Sequence, residues 1–156
     1  MDAGGSSRYI SSGMRLPPSS AGKLVLAYLL GGVAFAAGTF LTLLLSFFVW
    51  GTDPAFESGL GERVFGLIPI AGGAILAGFM LYGLLRERLG VRLKVAQFWI
   101  MSGVTWLAMA LAQITAGPRG LFGEPEIMTF VAMAISVAIG LGAGVWLGGA
   151  SQERPT

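Results

Sequence analysis

The sequence predicts an all-α membrane protein: a bundle of four transmembrane helices built as two helical hairpins, with both termini on the cytoplasmic side. Three observations carry this reading. Only 12% of the 156 residues are charged and 54% are hydrophobic, whereas about one quarter of the residues in water-soluble domains are charged. Four apolar runs, each longer than the ~20 residues a helix needs to cross the hydrocarbon core, make up most of the chain. The segments between them are short and rich in Gly and Pro, too small to fold as separate soluble domains.

Residues 1–22 are rich in Ser, Gly and Pro without apolar periodicity, the composition of a flexible tail that buries too little to order itself. The first span follows over 24–50. At 27 residues it is too long for the apolar region of a cleaved signal peptide, so it reads as a retained anchor. It also exceeds the bilayer thickness and is expected to tilt or emerge. Tyr28 near one end and Phe47, Phe48 and Trp50 near the other match the aromatic belts of headgroup depth.

The second span covers about 64–85, where Pro69 is expected to kink the helix or loosen its first turn. The third covers 95–115 and the fourth 127–150, leaving a cytoplasmic C-terminal tail at 151–156. Gly51, Pro54, Gly59 and Gly61 break the chain after the first span. Gly117, Pro118, Gly120, Gly123 and Pro125 do so after the third. Residues 72–78 (GGAILAG) loosely match 138–144 (AIGLGAG). Such matches arise by chance between glycine-rich helices, and a true duplication would be a parallel repeat.

Basic residues set the orientation, because cytoplasmic flanks carry an excess of Lys and Arg. With the N-terminus inside, Arg8, Arg15, Lys23, Arg86, Arg88, Arg92, Lys94 and Arg154 are cytoplasmic, eight of the ten. Arg63 and Arg119 lie outside with Asp53, Glu57, Glu62, Glu124 and Glu126, five of the eight acids. Arg86, Arg88, Arg92 and Lys94 crowd into one short loop, where they are candidate contacts for anionic lipid headgroups as well as topology signals.

Small residues recur at every fourth position of the fourth span: Ala132, Ser136, Gly140, Gly144 and Gly148. In lipid such a row lets two helix backbones approach closely. Ala134, Ala138 and Gly142 form a second row on roughly the opposite face. The first span has its own row of Ala34, Gly38, Thr42 and Ser46, and the second pairs Gly73 with Ala77 and Ala74 with Gly78. These rows pack either within the chain or against a membrane-protein partner or second copy. Among the polar residues of the spans, most hydroxyls can bond their own helix. Gln97, Thr105 and Gln113 are the candidates for solute contact, the two amides lying near the ends of the third span within reach of water or headgroups.

What is missing narrows the function. No ionisable residue lies within the four spans, and buried acids, bases or Arg rows are what coupled carriers, pumps and voltage sensors use. A small multidrug-type exporter would carry a membrane-embedded carboxylate. Cys and His are absent, which removes thiolate and imidazole ligands and the usual base for a Ser nucleophile. The outer acids are too dispersed for a divalent-cation site. No cofactor, metal or nucleic-acid partner is expected, and the chain does not read as an enzyme.

The expected function is therefore a structural or accessory subunit packing into a larger membrane complex or homo-oligomer. The rival is a passive channel or transporter for a small neutral solute, lined by hydroxyls and amides. The many Ala, Gly and Arg residues with only two Lys suggest a bacterial plasma membrane. A reporter fused after Thr156 is expected to remain in the cytoplasm; its export would refute the orientation.

Overall fold

Hydrocarbon offers the backbone no hydrogen-bond partners, so each apolar run must pair its own N–H and C=O groups by coiling into a helix. The computed structural model describes residues 20–50, 64–91, 93–116, 121 and 126–152. Its helices are α1 (Ser20–Trp50), α2 (Leu67–Arg88), α3 (Val95–Thr115) and α4 (Glu126–Gln152). All four are long and apolar enough to cross a membrane. The chain is a four-helix membrane bundle.

Paired side chains fix the directions of the helices. Along α1 and α2, Thr39 meets Gly73 and Thr42 meets Gly72; along α2 and α3, Gly78 meets Ser102 and Tyr82 meets Phe98. Along α3 and α4, Met109 meets Ser136, Thr105 meets Gly140 and Met101 meets Gly144. Rising numbers on one helix match falling numbers on the next, so all three neighbouring pairs are antiparallel. The start of α1 and the end of α4 consequently lie at the same end of the bundle as the α2–α3 connection. The α1–α2 contact is the most extensive, α2–α3 and α3–α4 follow, and α4 meets α1 over a much smaller surface.

The core is unlike that of a water-soluble bundle. Phe35, Ile70, Leu81, Met109 and Val137 are fully buried at its centre, and Leu85, Leu93 and Met101 pack together near the α2–α3 connection. Large apolar side chains otherwise point outward, among them Phe40, Phe48, Phe79, Leu111 and Phe130. Lipid solvates them as well as protein would, so what brings helices together is close packing of small and polar residues.

That packing has one recurring form, a hydroxyl standing where a glycine's Cβ would be. Thr42 and Thr39 of α1 occupy these positions at Gly72 and Gly73, Ser102 of α3 does so at Gly78, and Thr105 of α3 at Gly140 of α4. The backbones of α1 and α2 approach most closely at this pair of glycines, since a Cβ on Gly73 would lie 2.7 Å from Phe35 O and one on Gly38 2.9 Å from Gly72 O. Helix α2 is thus held on one side by α1 and on another by α3.

Several boundaries differ from the sequence expectation for physical reasons. Helix α1 begins at Ser20 rather than 24, so the end of the expected tail is helical, with Ala21, Gly22 and Lys23 exposed. Helix α2 begins at Leu67 rather than 64, after a separate turn at 64–66. Pro69 therefore sits in the first turn, where its missing N–H interrupts no interior hydrogen bond and no mid-helix kink is required. The far end of α2 continues to Arg88, its last turn carrying Arg86 and Arg88 where the helix dipole favours cations. Gly90, at φ 65°, then reverses the chain, and Val91 N–H returns to Leu85 O at 3.1 Å. Helix α4 starts on Glu126, an acid suited to an N-terminus, and runs to Gln152.

Replacing Gly78 by Leu would drive a side chain into Ser102, whereas Gly83 faces open space. Gly78→Leu is expected to destabilise the bundle by about 1–3 kcal/mol, the usual cost of overpacking, and Gly83→Leu to be near neutral. Unfolding in detergent, followed by loss of helical circular dichroism, compares the two.

Candidate functional site

Polar groups within the spans are the natural candidates for function, and most of them are occupied in helix packing. Thr42 donates to Gly38 O at 2.8 Å, Ser46 to Thr42 O at 2.8 Å, Thr115 to Leu111 O at 2.7 Å and Ser136 to Ala132 O at 2.7 Å. Each of these bonds reaches one turn back along its own helix. Thr39, Ser102 and Thr105 are buried, and among the described residues their hydroxyl oxygens make no conventional hydrogen bond. All three lie against glycine backbone, where weak Cα–H···O contacts are the available compensation.

The two long small-residue rows face helices of the same chain. Ala34 is buried, Gly38 and Thr42 meet the α2 backbone at Gly72, and Ser46 is buried beside them. On α4, Ala132 packs against the core, Ser136 lies 3.9 Å from Met109 Sδ, and Gly140 meets Thr105. A Cβ on Gly144 would strike Met101 and come within 2.9 Å of Leu85 Cδ1. Gly148 continues this helix, but its surroundings lie outside the described residues, as do Arg92, Arg154, the Trp50 side chain, Arg63, Arg119 and the acids Asp53, Glu57, Glu62 and Glu124.

At the end of the bundle bearing the α3–α4 connection, Gln113 performs a task its position in the sequence does not suggest. Expected near water, it is fully buried. Its Oε1 accepts the backbone N–H of Leu121 at 2.8 Å, while the carbonyl of Leu121 accepts from Thr129 Oγ1 at 3.0 Å. Both backbone polar groups of Leu121 are satisfied by side chains, and its own side chain is buried in the core. A loop residue can be buried only when its backbone is paired in this way. Among the described residues the Gln113 amide nitrogen has no partner. Trp106 adds a longer link nearby, donating from Nε1 to Leu67 O at 3.4 Å.

At the other end Gln97 is a cap rather than a free amide. Its Oε1 accepts Lys94 N–H at 2.6 Å while its own N–H returns to Lys94 O at 2.9 Å, closing the start of α3. Tyr82 donates to Leu93 O at 3.3 Å and meets Phe98 edge-on at 6.3 Å, drawing the α2–α3 connection over the bundle. Lys23, Arg86, Arg88 and Lys94 are exposed at this same end. Phe47 and Phe48 are exposed near the end of α1, as belt residues would be. The Tyr28 hydroxyl instead turns inward and donates to Ala134 O at 3.2 Å, a link between α1 and α4 that no spacing in the sequence announces.

The second small row behaves differently from the first. Ala134 is half-buried beneath Tyr28, but Ala138 and Gly142 are exposed, and a Cβ on Gly142 would meet nothing within 4 Å. They line an open groove of about 460 Å³ between α1 and α4, together with Leu24, Tyr28, Leu141, Val145 and Trp146. A second groove of about 720 Å³ runs between α3 and α4 toward the opposite end, lined almost wholly by apolar side chains. Among the described residues no three acids converge to hold a metal ion.

The fold and these surfaces define a multi-pass integral membrane protein whose polar interior is used to join its helices. Comparison with protein-family models, with curated proteins and with solved structures finds no match.

Gln113→Leu leaves Leu121 N–H unpaired and is expected to cost about 1–3 kcal/mol, with faster amide exchange at Leu121. Gln113→Glu keeps an acceptor oxygen and is expected to retain protection at that amide. Exchange measured by mass spectrometry in detergent distinguishes the two variants, and equal protection in both would refute the link.

Proposed function

We propose that this protein is a non-enzymatic structural or accessory subunit of a plasma membrane, with both termini cytoplasmic, that packs into a larger membrane complex or homo-oligomer. The observation that carries this reading is the placement of the span hydroxyls and Gln113. Thr39, Ser46, Ser102, Thr105 and Gln113 are all buried in contacts of the chain with itself. A solute path or a catalytic constellation would need such groups facing a cavity. The same placement weighs against a pore lined by these residues, because several copies cannot surround a pathway with side chains already enclosed in each copy.

The long rows on α1 and α4 meet α2 and α3, so association would use other faces. The outward stripe of α3 offers one kind of surface. Gly103 is exposed with open space around it, one turn from the exposed Trp99 and Leu107. A notch between two large side chains receives a partner's side chain in the manner of ordinary helix packing. The clustering of Lys23, Arg86, Arg88 and Lys94 at the end shared by the start of α1 and the end of α4 supports cytoplasmic termini.

The chain contains no cysteine, so single introduced cysteines report without background. Val33, Phe79, Gly103 and Ile135 sample the outward faces of α1 to α4. Carrying a photo-crosslinker in native membranes, at least one is expected to capture a discrete polypeptide, which the same protein purified in mild detergent should retain. A monomer that crosslinks to nothing at all four positions would refute the subunit reading.

A further inference from the structure

The register of α2 against α3 singles out two of the cations around their connection. Gly78 meets Ser102 and Tyr82 meets Phe98, so each step of four residues along α2 matches four residues back along α3. The next pair of positions in this series is Arg86 and Lys94. Arg86 lies one turn beyond Tyr82, and Lys94 one turn before Phe98, each on the side of its helix where the aromatics meet. Arg88, two residues further along α2, is turned roughly 200° away around the helix. The connection is tied down in this register. Tyr82 donates to Leu93 O, Val91 N–H returns to Leu85 O, and Leu93 is buried with Leu85 and Met101. Gln97 closes both the N–H and the carbonyl of Lys94.

Two exposed cations are thus held at facing positions, where like charges repel. Glu87 is the only acid among the described residues of this end, and no described residue forms an ion pair with Arg86 or Lys94. An anion between the two removes their repulsion and is attracted by both. What lies beneath them selects its kind. Phe98 meets Trp99 edge-on at 4.9 Å, and Trp99 is 61% exposed on the outward stripe of α3. An outward tryptophan one turn inside a row of cations marks headgroup depth. The Arg fork and the compact Lys ammonium both suit phosphate oxygens. We propose that Arg86 and Lys94 together hold the phosphate of one anionic phospholipid, its acyl chains descending past Phe98 and Trp99. The site goes beyond the subunit reading and does not depend on the identity of any protein partner.

The test uses the full-length protein in nanodiscs of equal palmitoyl-oleoyl phosphatidylglycerol and phosphatidylcholine, with the retained lipid read by native mass spectrometry. The wild type is expected to retain phosphatidylglycerol over phosphatidylcholine by about twentyfold, and Arg86→Gln or Lys94→Gln each to lower that ratio about fivefold, the equivalent of about 1 kcal/mol from one basic residue near the surface. The double variant should bring the two lipids to parity. Both side chains are exposed and the cap at Lys94 uses backbone atoms alone, so these variants should keep the wild-type helical circular dichroism. Arg88→Gln removes the same charge from the other side of α2 and should leave the ratio nearly unchanged. Equal retention of the two lipids by the wild type would overturn the proposal, as would an undiminished ratio in either single variant. A loss in Arg88→Gln as large as in Arg86→Gln would also overturn it, by making the preference a general effect of positive charge. So would capture of a polypeptide in native membranes by a photo-crosslinker at position 86, which would give the pair a protein partner instead.

Discussion

Close approach of helix backbones at glycine is the constraint on which the rest of this structure depends. Between helices in lipid the hydrophobic effect contributes little, since a leucine is as well solvated by acyl chains as by protein. Attraction must then come from dispersion and weak polar contacts, both of which fall away quickly with distance. At Gly72, Gly73, Gly78 and Gly140 the facing side chain is Thr or Ser. A hydroxyl is small enough to enter the space of a missing Cβ and polar enough to interact with the backbone exposed there. Larger side chains at those glycines would separate the helices and forfeit the contacts of every neighbouring residue.

This arrangement has a cost that the fold distributes. Thr39, Ser102 and Thr105 bury hydroxyl oxygens without full partners, while Thr42, Ser46 and Ser136 return to their own helices. In water such losses would be offset by the burial of large apolar side chains. Here those side chains face lipid in either state, so the hydroxyl–glycine contacts themselves must make the helix pairs favourable. Helix α2 shows the result most clearly, because it presents glycines to two neighbours. Helix α4 is joined to α3 in the same way, yet only loosely to α1, where Tyr28 spans a gap that Ala138 and Gly142 leave open. The weakest contact of the ring is thus also where the surface stays open between two helices.

The ends of the bundle are governed by a different rule. A connection lying over the core must satisfy its backbone, and here side chains from the adjoining helices do it: Gln113 and Thr129 for Leu121, Tyr82 for Leu93, Gln97 for Lys94. The two glutamines of α3 therefore anchor opposite ends of that helix to its connections. Their amides resemble solute-binding groups in the sequence because composition records that a donor and acceptor are present, not which backbone groups they will meet.

Much was legible in the sequence because it follows from local rules. The apolar runs, the absence of charge within them and the Gly/Pro breaks require four membrane helices, since unpaired backbone is intolerable in lipid. The small-residue rows announce that close contacts exist, because only small side chains permit them. Which helix fills each row, however, depends on the rotation of every helix about its axis, and a periodic pattern is compatible with several rotations. Tertiary structure alone decided that Gly140 meets Thr105, that Tyr28 reaches Ala134, that Gln113 holds a residue eight positions away, and that one small row remains open to the bilayer. Those outcomes rest on simultaneous packing of all four helices, a condition no single stretch of the chain contains.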